Sequence, residues 1–232
     1  MNDHPNPLAL IVGAGSGLSA SLARKCAAAG MRVALAARDP AKLEDLADAR
    51  AYGCDASEPG QVTKLFEALD REAGAAELVL YNPSYRVRGA LLDLDPEEVR
   101  RSLAVSAFGG FLVAQAAAKR MLALGRGSLF FTGASASVKG YAESAPFAMG
   151  KFALRGLAQS LARELGPKNI HVAHFVIDGG ILRARDDSRA AARGADAMLH
   201  PDAIAQTYLD VHRQHRSAWS HELDLRPWVE RF

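Results

Sequence analysis

Lys151 stands on an otherwise apolar stretch, Pro146-Phe147-Ala148-Met149-Gly150-Lys151-Phe152-Ala153-Leu154. A buried ammonium is costly unless something holds it. A lysine in such surroundings therefore implies a ligand or a polar partner rather than a plain packing role. Phe147 lies four residues earlier and shares its helical face. Near the N-terminus, Gly13-Ala14-Gly15-Ser16-Gly17 follows a short apolar run. Glycines at such a strand-to-helix junction let the backbone approach a pyrophosphate, and the helix N-terminus that follows presents free N–H groups to the anion. The next apolar run ends at Ala36-Ala37, and Arg38 comes where a guanidinium can pair with a ribose 2′-phosphate. Asp55 suits either the adenine edge of a nucleotide or the cap of the next helix.

These residues need a scaffold of alternating strands and helices, and the chain supplies one. Leu8 to Val12, Met31 to Ala37, Ala51-Tyr52, Glu77 to Tyr81, Ser128 to Thr132, Ile170 to Ile177 and Ser220 to Leu225 read as strands. Ser16 to Ala29, Pro40 to Ala49, Pro59 to Ala73, Pro96 to Leu124, Pro146 to Leu165 and Pro201 to Arg216 read as helices, with Asp95 as an N-cap and Gly30, Gly74, Gly125 and Gly166 as stops. Such alternation predicts an α/β fold, a doubly wound parallel sheet with right-handed crossovers. The 232 residues make one dinucleotide-binding domain over 1–232, with 178–200 as a substrate loop.

Composition narrows the class. Apolar residues make up 49% of the chain and the formal net charge is +2, with acids and bases interspersed. No run of like charge predicts a nucleic-acid or membrane partner. Cys26 and Cys54 form no metal-binding or disulfide pattern. No signal-peptide pattern and no apolar run of spanning length is read, so a cytoplasmic protein without a metal is expected.

The chain resembles the short-chain dehydrogenase/reductase family over nearly its whole length. The family's Thr-Gly-x-x-x-Gly-x-Gly loop corresponds to Val12-Gly13-x-x-x-Gly17-x-Ser19. Its Asn-Asn-Ala-Gly stretch corresponds to Tyr81-Asn82-Pro83-Ser84, and its Pro-Gly after strand six to Asp178-Gly179. The run from Lys151 to Leu165 is similar throughout. The resemblance implies a Rossmann-type fold and an oxidoreductase using NADP(H), with NAD a less favoured cofactor. It implies a cofactor site made by Gly13, Gly15, Ser16, Gly17, Leu18, Arg38, Asp55, Ala56, Asn82, Lys151 and Gly179. It also implies a homodimer or homotetramer paired through the two long helices, whose small residues include Gly109, Gly110, Ala114 and Ala117.

The family's catalytic Asn, Ser, Tyr and Lys carry over unevenly. Lys151 matches. The Tyr position holds Phe147, which has no exchangeable proton. The Asn position falls on Ser106. The Ser position falls near Ala134, or on Ser135 if the loop is one residue shorter. Tyr141, Tyr81, His200, His212, His215 and His221 are alternative proton donors. Two functions follow as expectations: hydride transfer to a carbonyl or imine-like small molecule with an altered proton donor, or a catalytically impaired dinucleotide-binding sensor or partner subunit. The arginine-rich segment Arg183-Ala-Arg185-Asp186-Asp187-Ser188-Arg189, with Arg193, is either a solvated loop or a recognition element for an anionic substrate or the cofactor pyrophosphate.

Overall fold

The computed structural model describes residues 6–43, 46, 49–183, 187–194 and 196–230. Seven strands form one parallel sheet: β1 (Leu8–Val12), β2 (Arg32–Ala37), β3 (Arg50–Gly53), β4 (Leu78–Tyr81), β5 (Gly127–Thr132), β6 (Ile170–Ile177) and β7 (Glu222–Leu225). Their spatial order is β3-β2-β1-β4-β5-β6-β7. β1, β4 and β6 are buried along their whole length, as a sheet covered on both faces requires.

Alternate residues of each strand feed two cores. Leu8, Leu10 and Val12 pack with α2 (Pro59–Glu72), α3 (Pro96–Leu124) and α4 (Ala145–Leu165). Ala9 and Ile11 pack with α1 (Leu18–Ala28) and α5 (Pro201–His212). Strand order reverses between β1 and β4, so the crevice beyond their C-terminal ends is where such a sheet takes a ligand.

Several elements differ from the sequence reading. The helix expected over Pro40 to Ala49 begins with one 3₁₀ turn, Pro40–Leu43; residues 44, 45, 47 and 48 lie outside the described residues. The last helix stops at His212, before a separate 3₁₀ turn at Arg216–Ala218. The segment after β6 contains a short parallel pairing of Gly180–Ile181 with Met198–Leu199 and a helical turn at Ser188–Arg193. Residues 184–186, which include Arg185 and Asp186, are outside the described residues.

Helix α3 is long and apolar enough by composition to cross a membrane, contrary to the reading that no stretch reaches that length. Here it flanks the sheet, packed on α2 and α4. Asp95 caps it by accepting from the Glu97 N–H. A π-helical turn at Ala104–Phe108 interrupts it and shifts its helical phase.

The small residues of α3 face inward, which corrects their assignment to a subunit interface. Ala114 and Ala117 are buried, and Gly109 and Gly110 sit against β4 and α4. A Cβ on Gly109 would lie 2.7 Å from the Ala56 carbonyl oxygen. Gly109→Ala should therefore cost about 1–3 kcal/mol by overpacking. In a chain of this size that lowers Tm by about 2–4 °C per kcal/mol, measurable by thermal unfolding.

Candidate functional site

The loop after β1 is shaped by Gly13, at φ +80°, where a Cβ would meet the Pro83 nitrogen at 2.7 Å. Only glycine meets both demands. Gly15, Ser16 and Gly17 complete the turn, and Gly17 starts α1 with no side chain capping it. The first-turn N–H groups of α1 are thereby left for an anion. Ser19, which replaces the family's last glycine, is buried rather than aimed into the crevice. Its hydroxyl donates to the Gly13 carbonyl at 3.1 Å and accepts from Asn82 Nδ2 at 2.7 Å. This substitution ties the loop to the end of β4.

Two cavities open along the C-terminal edge of the sheet and share Asn82 and Ser84. The first, about 300 Å³, is walled by Gly13, Arg38, Asp55, Ala56 and Asn82. Arg38 is exposed at its rim. Asp55 also shapes the turn into α2, accepting from the Ser57 N–H at 3.0 Å and the Ser57 hydroxyl at 2.6 Å. These bonds, with Arg38 and Arg101 nearby, hold its carboxyl below the usual carboxylate range despite partial burial. Asp55 thus forms the turn before α2 rather than capping it, since the N-cap position is Glu58 with no side-chain bond, and it stands on the cavity wall.

The second cavity, about 610 Å³, is walled by Gly17, Leu18, Ala134, Ser135, Phe147 and Gly179, among others. Phe147 faces it, and Lys151 lies behind Phe147, with Nζ 5.9 Å from the ring centroid. Lys151 is 2% exposed and donates to the Thr132 carbonyl at 2.8 Å. Its ammonium therefore does not reach the surface. Burial pushes its pKa down to about 8, and an ammonium bonded once still has two protons to give.

The remaining catalytic positions divide. Ala134 and Ser135 both reach the cavity, whereas Ser106 does not. It is fully buried in the π turn of α3, pressed against Gly150 and 3.5 Å from the Tyr85 N–H, whose hydrogen its hydroxyl accepts. Tyr81 is also fully buried, its hydroxyl donating to the Val105 carbonyl, so it cannot serve a substrate. Tyr141 does line the cavity, with Lys139 Nζ 5.7 Å from its ring centroid. None of the four histidines lines it. His212 and His215 lie at the opposite edge of the sheet, with Glu77 and Ser128, and His200 is exposed beyond the cavity.

Sequence reasoning passed over Arg86 and Arg88, which follow β4 and line the second cavity. It also missed His174. His174 is fully buried on β6, its Nδ1 3.0 Å from Glu222, which pairs with Arg155. Burial lowers its pKa to about 4, so it is neutral at pH 7. The β-strand run Ile170-His-Val-Ala-His hid it, because alternation on a doubly covered strand does not separate polar from apolar burial.

The family model for short chain dehydrogenases matches residues 7–185. The chain belongs to the short-chain dehydrogenase/reductase family. A short-chain dehydrogenase from Rhodopseudomonas palustris is 34% identical, with TM-score 0.81 over 97% of this chain and 100% of that one. A metagenomic short-chain oxidoreductase solved with NADP is 25% identical, with TM-score 0.81 over 96% of this chain and 98% of that one. Among curated relatives, the 3-oxoacyl-(acyl-carrier-protein) reductase MabA of Mycobacterium bovis is 28% identical over 181 residues, 77% of this chain and 72% of that protein.

Proposed function

We propose that the protein is an NADP(H)-dependent oxidoreductase that reduces a carbonyl or imine-like small molecule with an altered proton-donor site. The observation that carries this reading is Lys151. It is buried with one protein hydrogen bond, behind a cavity that continues into the glycine-loop site. The residues present fit the dinucleotide. Gly13 to Leu18 would cradle the pyrophosphate, Arg38 the 2′-phosphate, Asp55 and Ala56 the adenosine, Asn82 and Gly179 the middle of the cofactor, and Lys151 the nicotinamide ribose. The NADP complex of the metagenomic relative supports this choice. When bound, the cofactor supplies hydride.

The chain's own residues then set the proton economy. Phe147 and Ala134 offer no proton at the reacting end. Tyr141 is the phenol on this cavity wall among the described residues. An iminium substrate needs hydride and no protein proton, whereas a ketone needs both. The site therefore favours substrates that carry their own charge or draw the proton from Tyr141, Ser135 or water. The second reading, a catalytically impaired sensor or partner subunit, is favoured by Phe147, which puts a ring without a hydroxyl on the cavity wall. Turnover of imines with NADPH separates the two.

Arg38→Asp should reverse or erase a preference for NADPH over NADH, because it removes a phosphate partner and adds a repelling charge. Equal affinity of the unmodified protein for both nucleotides, by titration, would count against the role of Arg38. The same reading takes the protein to be a cytoplasmic homodimer or homotetramer. Its support is the outward face of α3 and α4, where Phe108, Phe111, Met149 and Phe152 are exposed.

A further inference from the structure

The wall of the second cavity carries five arginines from two segments. Arg86 and Arg88 come from the loop after β4, and Arg183, Arg189 and Arg193 from the segment after β6. Arg189 is already engaged by both oxygens of Asp187 and by the Ile181 carbonyl. The other four have no carboxylate partner among the described residues. Two carboxylates share the wall, and Asp178 is itself held between Lys139 at 3.7 Å and Arg226 at 4.0 Å. Glu230 remains, so cations are in excess.

Arg86 is the guanidinium placed at the reacting end. Its Cζ lies 4.8 Å from the centroid of the Phe147 ring, which occupies the family's tyrosine position. The ring strips water from one side of the guanidinium, and Arg88 adds a like charge nearby. Both push the Arg86 pKa below the usual arginine value, though it stays charged. An exposed guanidinium stacked on a ring beside another cation, with no carboxylate partner among the described residues, gains from an anion held in bidentate contact. On the proposed function, the phosphates of a dinucleotide would take their own partners at the α1 N-terminus and Arg38.

We propose that the cavity over Phe147 takes a small substrate bearing a carboxylate or phosphate, held by Arg86 and Arg88. This deepens the reductase reading and rests on it for the word substrate.

The test uses the full chain. NADPH affinity is measured first, for the unmodified protein, Arg86→Gln and Arg88→Gln. Benzoate, phenyl phosphate and neutral benzamide are then titrated into the NADPH-loaded proteins by calorimetry. At least one anion should bind about tenfold or more tightly than benzamide, and comparing benzoate with phenyl phosphate tells carboxylate from phosphate. Each variant should lose about fivefold or more of that anion affinity, with benzamide and NADPH binding unchanged. Benzamide binding as well as both anions would overturn the proposal. So would unchanged anion affinity in both variants, or a loss of NADPH affinity in their place, which would make these arginines a cofactor clamp. Failure of NADPH to bind, with benzoate still held through Arg86, would sink the reductase reading and support the anion site.

Discussion

Phe147→Tyr is expected to raise reduction of activated ketones by about tenfold or more, since a positioned general acid typically contributes 10²–10⁴-fold. The expectation rests on geometry. Phe147 faces the cavity, and Lys151 Nζ lies 5.9 Å from its ring. A phenol there would stand beside a buried cation that lowers its pKa and readies it for proton transfer. Ala134 and Ser135 both reach the cavity, and adding a second hydroxyl there with Ala134→Ser should extend the gain. Combining Phe147→Tyr with Lys151→Met should cancel the gain. Initial rates of NADPH oxidation with a ketone panel measure all four proteins. Normal NADPH binding without any gain would mean that burial of Ser106, rather than loss of the phenol, limits the chemistry.

Lys151→Met should lower turnover by about a hundredfold or more, because it removes a fixed charge from a water-poor site, and should weaken NADPH binding. The variant should fold. Methionine matches the length of the stem, and relief of a costly buried charge offsets the lost bond to the Thr132 carbonyl. The pH dependence separates a ligand role from packing. Lys151 in the folded protein titrates near 8, below its ordinary value of 10.5. NADPH affinity should therefore fall as pH rises through about 8, and this bend should vanish in Lys151→Met. Stability runs the other way. Between the folded and unfolded pKa values the unfolded chain holds more protons, so this group makes stability rise with pH in that window. Chemical denaturation of both proteins across pH 8 to 10 checks the sign. Unchanged NADPH affinity and rate in Lys151→Met would leave the lysine a purely structural group.

The sheet and the glycine loop were legible in the sequence because their signals are local. Apolar runs such as Leu8 to Val12 end in glycines, and Gly13 must be glycine wherever φ is positive. Lys151 was legible because an ammonium among apolar neighbours needs a partner. What was hidden depended on tertiary packing. Gly109 and Gly110 read as an outer interface, yet the π turn at Ala104–Phe108 rotates α3 so that they meet Tyr81, Ala56 and Leu154. The same turn buries Ser106. Tyr81 stood beside Asn82 in sequence, but strand alternation points its ring inward. The late histidines were close in sequence to the substrate segment, while chain reversal through α5 carries His212 and His215 to the far edge of the sheet. Arg86 and Arg88 had no motif to mark them. Only the approach of Arg86 to Phe147 shows where that guanidinium stands.

This short-chain dehydrogenase/reductase is expected to hold NADPH through Arg38 and Lys151. Fluorescence titration of the unmodified protein with NADPH and NADH tests it most directly. Saturable binding of NADPH, tighter than that of NADH, is the expected result. Failure of both nucleotides to bind would contradict it.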